Sequence, residues 1–396
     1  MKKFLIIIFL ALILTLGALI IIKIYYEYEK IPQQDTTTNN NIISNIENEA
    51  IIIPEVEEKQ VEIFNGNTRP IAVMLDNVGS ARPQAGLNDA YIVYEIVVEG
   101  GLTRLMALYK DVNLKKIGPI RSSRHYFLDY ALENDAIYVH FGWSPQAHSD
   151  IKTLKVNNIN GMAESSSSFW RVRDKSAPHN VVTSTEKLLK IAERKKYRTT
   201  SEKESVLNYV TDEVNLDEGI LATQITIPYM SSYKVTYKYD EETGRYTRGY
   251  NKTTQKDWDT KELVTTKNII ITFAKNTMLK DGSSKGRQNL SNIGTLKGYY
   301  ITNGKAIEIE CYKSSRKEQT VYRDLEGNEI DVNDGNTFIQ IVPINTKVSI
   351  QPGKIEEIGN VIENNKNAVN WLHFLFIVQF IKFINPLQLL TNYATI

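Results

Sequence analysis

The sequence predicts an α+β protein: a mixed α/β domain precedes a smaller, mainly antiparallel β domain, and a transmembrane signal-anchor helix precedes both. Three observations predict this class. A long uncharged run lies close to residue 1, strand-like and helix-like patterns mix over residues 67–205, and short alternating strands with Gly and Asn turns follow over 221–352. Mixed strands and helices are typical of α/β or α+β layers, and evenly spaced alternating strands are typical of antiparallel sheets.

Residues 1–30 form the predicted membrane anchor. Residues 4–22 contain no charged side chain, and a helix of this length measures about 28 Å, close to the thickness of the hydrocarbon layer of a bilayer. Lys2 and Lys3 precede this run and are expected to stay in the cytoplasm, which places the following domains on the extracytoplasmic side of the cell membrane. The alternative, a cleaved signal peptide, gives the same compartment without a single-pass anchor.

Two flanking segments differ from the predicted domains in composition. Residues 31–66 carry seven acidic side chains and one lysine, which predicts a disordered acidic linker. Residues 353–396 are an atypical apolar tail, in which the nearly apolar stretch 368–384 is interrupted by a histidine, a glutamine and a lysine. That stretch is short and interrupted for a membrane span, so we expect it to lie on the membrane surface or to dock on a domain.

The first domain is predicted over residues 67–205 and is followed by a linker at 206–220. A short apolar run that ends in Asp76 and Asn77 indicates a buried strand. Two further strand-like runs flank Gly100-Gly101, which predicts a hairpin. The other predicted elements are a helix over 126–132, a strand over 136–143 and a helix over 183–198 that Ser184 or Thr185 caps.

The second domain is predicted over residues 221–352. Residues 233–250 alternate between apolar and polar side chains on both sides of a turn at 242–244, as the two strands of an antiparallel hairpin do. Short strands with Gly and Asn turns between them are predicted at 267–274, 305–312, 320–324 and 338–343.

The stretch "KKIGPIRSSRHYFLDYALE" contains the strongest candidates for a binding site. If a helix begins after Gly118-Pro119, the backbone N–H groups of residues 121–124 lie at its positive end, and arginine and serine side chains add donors for an anion. We expect Arg121 and Arg124 to face one polar groove that is shared with Glu95 or Glu99. The alternative is that these arginines form structural ion pairs with carboxylates, which are common.

Two sets of candidate site residues follow. Glu95 and Glu99 lie four residues apart on a strand-like run, and His140 and His179 are candidate proton carriers, although each group also has an ordinary structural explanation. No zinc-ligand spacing or nucleotide fingerprint is present, so we predict no metal and no cofactor. The predicted ligand-binding set is Arg82, Arg104, Arg121, Ser122, Ser123, Arg124 and Arg171.

Several motifs occur together in one order: "RPIAVMLDN", "YEIVVEGGLTRLMALY", "IGPIRSSRHYFLDYA", "AIYVHFGWSPQA" and "APHNVV", then "KNIIITFA", "GKAIEIECYK" and "GNTFIQIVP". Over about residues 67–345 the sequence resembles the YerB family, whose members are described as bacterial lipoproteins. The resemblance implies two exported, membrane-attached domains and implies no activity. This chain departs from the family pattern: no cysteine follows residues 4–22 to carry a lipid, Cys311 stands where relatives tend to have tryptophan, and the segment after Gly353 has no counterpart.

Two functions remain as alternatives. The first is a membrane-anchored extracytoplasmic protein of the cell envelope that binds an anionic cell-wall polymer, a glycan or an envelope protein through an arginine-lined groove, with no nucleic-acid partner. A net charge of +1 agrees with the absence of nucleic acid. The second is a hydrolase or transferase on an envelope substrate, with Glu95 or Glu99 and His140 or His179 as acid–base groups. Binding requires fewer coincident residues and is the preferred prediction.

Overall fold

The computed structural model describes residues 59–352, which belong to one compact unit that begins at Lys59. The predicted signal-anchor at 1–30, all but the last residues of the linker at 31–66, and the tail after residue 352 lie outside the described residues. Within 59–352, no helix combines the length and apolar character that crossing a bilayer requires.

Residues 59–352 contain three α-helices, three single-turn 3-10 helices and 22 strands. The helices are α1 (Phe127–Glu133), α2 (Pro145–Thr153) and α3 (Thr185–Arg194). The first eleven strands are β1 (Ile71–Asp76), β2 (Ile92–Val97), β3 (Thr103–Tyr109), β4 (Ile137–His140), β5 (Asn158–Asn160), β6 (Trp170–Arg171), β7 (Val181–Val182), β8 (Asn208–Val210), β9 (Ile220–Leu221), β10 (Gln224–Met230) and β11 (Tyr233–Asp240). The others are β12 (Arg245–Tyr250), β13 (Thr253–Thr254), β14 (Thr265–Thr266), β15 (Asn268–Met278), β16 (Gln288–Ser291), β17 (Gly294–Thr302), β18 (Lys305–Lys313), β19 (Val321–Arg323), β20 (Asp331–Asn333), β21 (Thr337–Pro343) and β22 (Ser349–Gln351).

A 12-stranded sheet runs through both predicted domains. Its strand order is β19-β18-β17-β15-β21-β2-β3-β1-β4-β5, with β16 added on β15 and β9 on β18. The two halves meet where β2 pairs in parallel with β21, in the register that sets Ile92 opposite Thr337 and Ile96 opposite Ile341. Both strands are nearly continuous runs of buried residues, as strands covered on both faces are. The change of sequence pattern at 206–220 is therefore not a break in the sheet.

A six-stranded antiparallel sheet, in the order β13-β12-β11-β10-β22 with β14 on β12, packs against one face of the large sheet. The predicted hairpin is confirmed, with Asp240 opposite Arg245 across the turn. The ring centroids of Tyr237 and Phe338 lie 6.1 Å apart in the core between the two sheets. The alternation of β11 thus buries one face of the hairpin, as the sequence pattern requires.

Helices cover the remaining faces of the first half. Phe127 and Leu128 of α1 and Ile151 of α2 join the core on the face opposite the small sheet, whereas Leu188 of α3 packs on the other face. The predicted cap of the last helix is confirmed, because the Ser184 hydroxyl accepts the N–H of residue 187 at 3.4 Å. The predicted hairpin between β2 and β3 is also present, and Gly100 and Gly101 provide its positive φ angles of 67° and 72°.

The predicted helix start after Gly118-Pro119 is wrong. The helix begins only at Phe127, and the residues before it run extended beside β1, past the point where β4 stops pairing with it. Arg121 N–H donates to the carbonyl of Met74 at 2.9 Å, and Ser123 N–H donates to the carbonyl of Gly142 at 2.9 Å. Because sheet-like pairing uses these N–H groups, no helix N-terminus is available there to bind an anion.

Candidate functional site

The candidate site lies at the carboxyl ends of three neighbouring parallel strands. β1, β4 and β5 end at Asp76, His140 and Asn160. Beyond Val73 the partner of β1 changes from β4 to the extended segment 119–121, and Asp76 N–H donates to the carbonyl of Pro119 at 2.8 Å. Open α/β sheets bind ligands where neighbouring strands separate at their carboxyl ends, so this edge is where polar side chains that meet a ligand are expected.

Asp76 is the centre of the site. One oxygen, Oδ2, accepts Nδ1 of His179 at 2.7 Å and contacts Nε of Arg121 at 3.2 Å. The Asp76 side chain is 2% exposed, while those of Arg121 and His179 are 27% and 21% exposed. Gln84 fixes the strand end by donating Nε2 to the Asp76 carbonyl at 2.8 Å. A buried carboxylate therefore holds a guanidinium and an imidazole at the surface.

The atoms that point away from Asp76 are available to a ligand. Because the carboxylate accepts from Nδ1 of His179, this nitrogen carries a proton, and Nε2 has no hydrogen-bond partner within residues 59–352. The two Nη groups of Arg121 likewise have no hydrogen-bond partner among the described residues. The site can thus offer a forked cation and an imidazole nitrogen to one bound group.

Two more predicted arginines reinforce the positive charge. Arg124 binds Glu99 through two contacts, Nε to Oε1 at 2.5 Å and Nη2 to Oε2 at 2.9 Å. Burial opposes the charge of Glu99, but these contacts outweigh it and lower the pKa of Glu99. Arg104 donates Nη1 to the Ser122 carbonyl at 2.5 Å, and burial together with the charge of Arg124 lowers its pKa to about 10. The guanidinium groups of Arg104, Arg121 and Arg124 thus outnumber the two nearby carboxylates, those of Asp76 and Glu99, and the local charge is positive.

The other members of the predicted ligand-binding set lie in different surroundings. Arg171 donates Nη1 to Oδ1 of Asn180 at 2.6 Å. Arg82 lies between two tyrosine rings, 4.6 Å from the centre of Tyr233 and 4.2 Å from that of Tyr250. The two predicted serines also differ. The Ser123 hydroxyl is buried and accepts from the hydroxyl of Tyr138 at 2.9 Å, whereas Ser122 is half-buried.

Glu95 belongs to a fully buried ion pair. Its Oε2 accepts Nη2 of Arg248 on β12 at 2.6 Å, and both side chains are 0% exposed. Oε1 accepts from Asn77, Thr103 and Tyr233. Burial opposes the charge of Arg248, but Glu95 outweighs it and raises the pKa of the guanidinium. Of the two carboxylates predicted to share a groove with Arg121 and Arg124, Glu95 is excluded because Arg248 binds it in the core, whereas Glu99 pairs with Arg124.

His140 is also buried at the end of β4. Its Nδ1 donates to the carbonyl of Gly142 at 2.8 Å, and burial lowers its pKa to about 4. The ring is therefore neutral near pH 7 and closed to solvent. Of the four predicted acid–base groups, Glu95 and His140 are fully buried, Glu99 pairs with Arg124, and His179 alone combines partial exposure with a carboxylate partner.

Sequence analysis missed Asp76 as a site residue and Arg248 as the partner of Glu95. Asp76 has a local signal, a carboxylate directly after a run of five buried apolar residues, where a strand end opens to solvent. Arg248 has a weaker signal, because the alternation of β12 sets it on the same inward face as the buried Tyr246. Neither signal names the partner, since Glu95 and Arg248 are 153 residues apart in the chain.

Comparison with known proteins identifies the family. The family model described as the N-terminal domain of a protein of unknown function, DUF3048, matches residues 57–198. The model of the C-terminal domain of the same family matches residues 225–339. The chain belongs to the DUF3048 family. The Asp76 site falls within the N-terminal DUF3048 region, and the Glu95–Arg248 pair connects this region to the C-terminal one.

A DUF3048 relative supports the resemblance found in the sequence. The chain is 31% identical over 289 residues to "Putative lipoprotein YerB" of Bacillus subtilis (strain 168), an alignment that covers 72% of this chain and 85% of the relative. The crystal structure of YerB from Bacillus subtilis matches with a TM-score of 0.64 and 30% identity, over 72% of this chain and 94% of that one. The predicted similarity to the YerB family is confirmed.

Proposed function

We propose that this DUF3048 protein works on the extracytoplasmic side of the cell membrane and binds an anionic group through Arg121 and His179, which Asp76 holds in place. The group is a carboxylate or a phosphate of a cell-wall polymer, a glycan or an envelope protein. The proposed location is supported by the uncharged run at residues 4–22 and by the name of the relative, a lipoprotein. Because no cysteine stands directly after that run, a peptide anchor is proposed in place of a lipid.

One observation carries this proposal: a buried carboxylate contacts Arg121 through Nε, while neither Nη group has a hydrogen-bond partner among the described residues. A planar guanidinium with two free N–H groups matches the two oxygens of a carboxylate or phosphate. The nearby excess of arginines over carboxylates raises the local concentration of anions. Since Asp76 fixes Arg121 in advance, little conformational entropy is lost when a ligand binds.

The test compares Arg121→Gln with the wild type, using the full chain in a mild detergent. Poly(glycerol phosphate), polygalacturonate and uncharged dextran serve as probes in isothermal titration calorimetry. Loss of one charge-assisted contact is expected to weaken binding of an anionic probe by roughly 10- to 100-fold. The melting temperature should change little, because His179 still pairs with Asp76.

The matched control is Arg198→Gln, since Arg198 also binds an aspartate, Asp135, at 2.7 Å but lies away from this strand end. It should leave binding unchanged. Equal weakening by both variants, or equal binding of dextran and the charged polymers, would contradict a specific anion site. A large fall in melting temperature of Arg121→Gln with no loss of binding would make this arginine structural.

One observation also favours a second candidate function, a hydrolase or transferase. The 2.7 Å contact between Asp76 and Nδ1 of His179 holds the imidazole in the orientation that general bases adopt, with Nε2 outward. On this hypothesis His179→Gln abolishes turnover of an anionic polymer but weakens its binding less than Arg121→Gln does. Release of small fragments from the polymer, followed by NMR, measures the turnover. No release by the wild-type chain would leave binding as the function.

A further inference from the structure

A second surface, outside the ligand site, is an apolar groove on the second half of the large sheet. It has a volume of about 660 Å³ and is lined by Phe273, Tyr299, Leu325 and Ile344, among others. Leu325 is 62% exposed and Ile344 is 58% exposed. A neighbouring depression of about 460 Å³ shares Tyr299 and Leu325 and adds Ile220, which is 58% exposed.

The groove is open because the small sheet stops beside it. β22 is the last strand of the six-stranded sheet on this side. The core between the two sheets includes Ile271 and Val342, while Phe273 and Tyr299 remain only partly buried at its border. Large exposed apolar patches on a soluble domain usually mark the position of a binding partner.

The chain leaves the described residues beside this groove. Ile344 and Thr346 line it directly. A few residues later Gln351 pairs with Gln224 at the start of β10, and β10 follows closely after Leu221, which pairs with Lys305 on β18. The 16 residue steps from Pro352 to residue 368 can span up to about 50 Å, which is enough for the following segment to reach the groove.

The segment that follows has the composition that such a groove requires. Residues 368–384 read "AVNWLHFLFIVQFIKFI", in which Lys382 is the only permanent charge. Seventeen residues are fewer than the roughly 20 that cross a bilayer as a helix. The groove is lined by two acidic residues, Glu308 and Glu310, and one basic residue, Lys297, so its net charge is negative and opposite to that of the tail lysine. We propose that residues 368–384 pack their apolar side chains into this groove of the same chain, independently of the ligand site.

The test is site-specific photo-cross-linking of the full chain in phosphatidylcholine vesicles. Leu325→p-benzoylphenylalanine sets the probe in the groove, and Leu189→p-benzoylphenylalanine is the matched control, because Leu189 is 43% exposed on α3. We expect a cross-link from position 325 to a peptide within residues 368–384 of the same molecule, and none from position 189. Phe374→Ser with Phe376→Ser should abolish the cross-link while circular dichroism stays unchanged.

A second readout is the fluorescence of a hydrophobic dye. Ending the chain after Pro352 should increase dye binding several-fold, and Leu325→Ser in that shortened chain should reverse much of the increase. Three outcomes would overturn the proposal: a covalent dimer, which makes a second copy the occupant; a cross-link to lipid, which makes the membrane the occupant; or the absence of any tail cross-link at position 325.

Discussion

At the scale of single residues, charge placement separates the partly exposed cluster of Asp76, Arg121 and His179 from a neutralised interior. Arg121 and His179 share a carboxylate that is itself out of solvent, and both keep polar atoms for a ligand. Glu95 and Arg248 neutralise each other completely inside the core. Because removing a charge from water costs several kcal/mol, a buried charge persists only with its partner. Exposure and pairing together therefore identify which charged residues can act on a ligand.

The Glu95–Arg248 pair gives the first prediction. Arg248→Met leaves Glu95 charged and unpaired in the core and is expected to lower the free energy of unfolding by about 3–5 kcal/mol. Adding Glu95→Met should restore much of this loss, since the replacement pair is apolar. Urea unfolding curves measure the free energy of unfolding of the single and the double variant. Glu186→Gln, which breaks the exposed pair with Lys190, is the control and should leave the urea unfolding curve almost unchanged. An equal small cost for Arg248→Met would show that this pair is not isolated from water.

His140 gives a prediction about pH. Burial lowers its folded pKa to about 4 from an ordinary 6.5, so protonation favours the unfolded chain. The stabilising contribution is complete above pH 6.5 and is lost as pH falls from there toward 4. Between pH 6.5 and 5 the loss is about 2 kcal/mol. Urea midpoints should fall over this window in the wild type and less in His140→Gln. If the urea midpoints of the two proteins change with pH in the same way, His140 is not the cause of the acid destabilisation.

At the scale of elements, the sheets follow the sequence pattern, whereas the segment between them follows its neighbours. The β2–β3 and β11–β12 hairpins form where alternation and turn residues predict them. Residues 119–123 have no such pattern, and they adopt an extended form because β1 and the Gly142 carbonyl offer partners. That pairing brings Arg121 to Asp76, so a local departure from the predicted helix creates the candidate site.

Close approach of two strands gives a prediction at this scale. A Cβ at Gly298 on β17 would lie 2.3 Å from the carbonyl oxygen of Ile271 on β15. Gly298→Ala must therefore push backbone apart and is expected to cost at least about 1–3 kcal/mol. Gly100→Ala is a useful comparison, because nothing lies within 4 Å there and only its φ of 67° opposes alanine. It should cost about 1–2 kcal/mol. A Gly298→Ala midpoint in urea equal to that of the wild type would contradict this packing.

At the scale of the whole molecule, the two DUF3048 regions fold around one sheet. β2 of the first region and β21 of the second pair along their length, and Tyr233 and Arg248 of the second reach into the first. Residues before the predicted start of the domain also belong to the core. Phe64 packs on Tyr91 with ring centroids 5.3 Å apart.

We therefore predict that residues 59–352 unfold in one cooperative step. Residues 59–205 and 206–352, made separately, should not fold, because each would expose half of the β2–β21 interface and an unpaired member of the Glu95–Arg248 pair. Starting the chain at residue 67 should lower the melting temperature, since it removes the Phe64 contact and the N–H groups of residues 62 and 63 that Asp334 accepts. Differential scanning calorimetry measures the number of unfolding transitions. Two separate transitions in residues 59–352 would show that the two regions unfold independently.

The sequence by itself determined helices α1 and α3, many of the longer strands, the two hairpin turns and the family, because these depend on patterns within short stretches of chain. It did not predict α2, and it placed a helix start wrongly after Gly118-Pro119. It also brought His179 and Arg121 forward as candidates from their chemistry. Only the tertiary structure decided that Asp76 joins them, that Arg248 takes Glu95 into the core, and that residues 119–123 are extended. The physical reason is that the position and role of a charged side chain depend on the partner that folding brings beside it. For the residues named here, these partners are up to 153 residues away in the sequence.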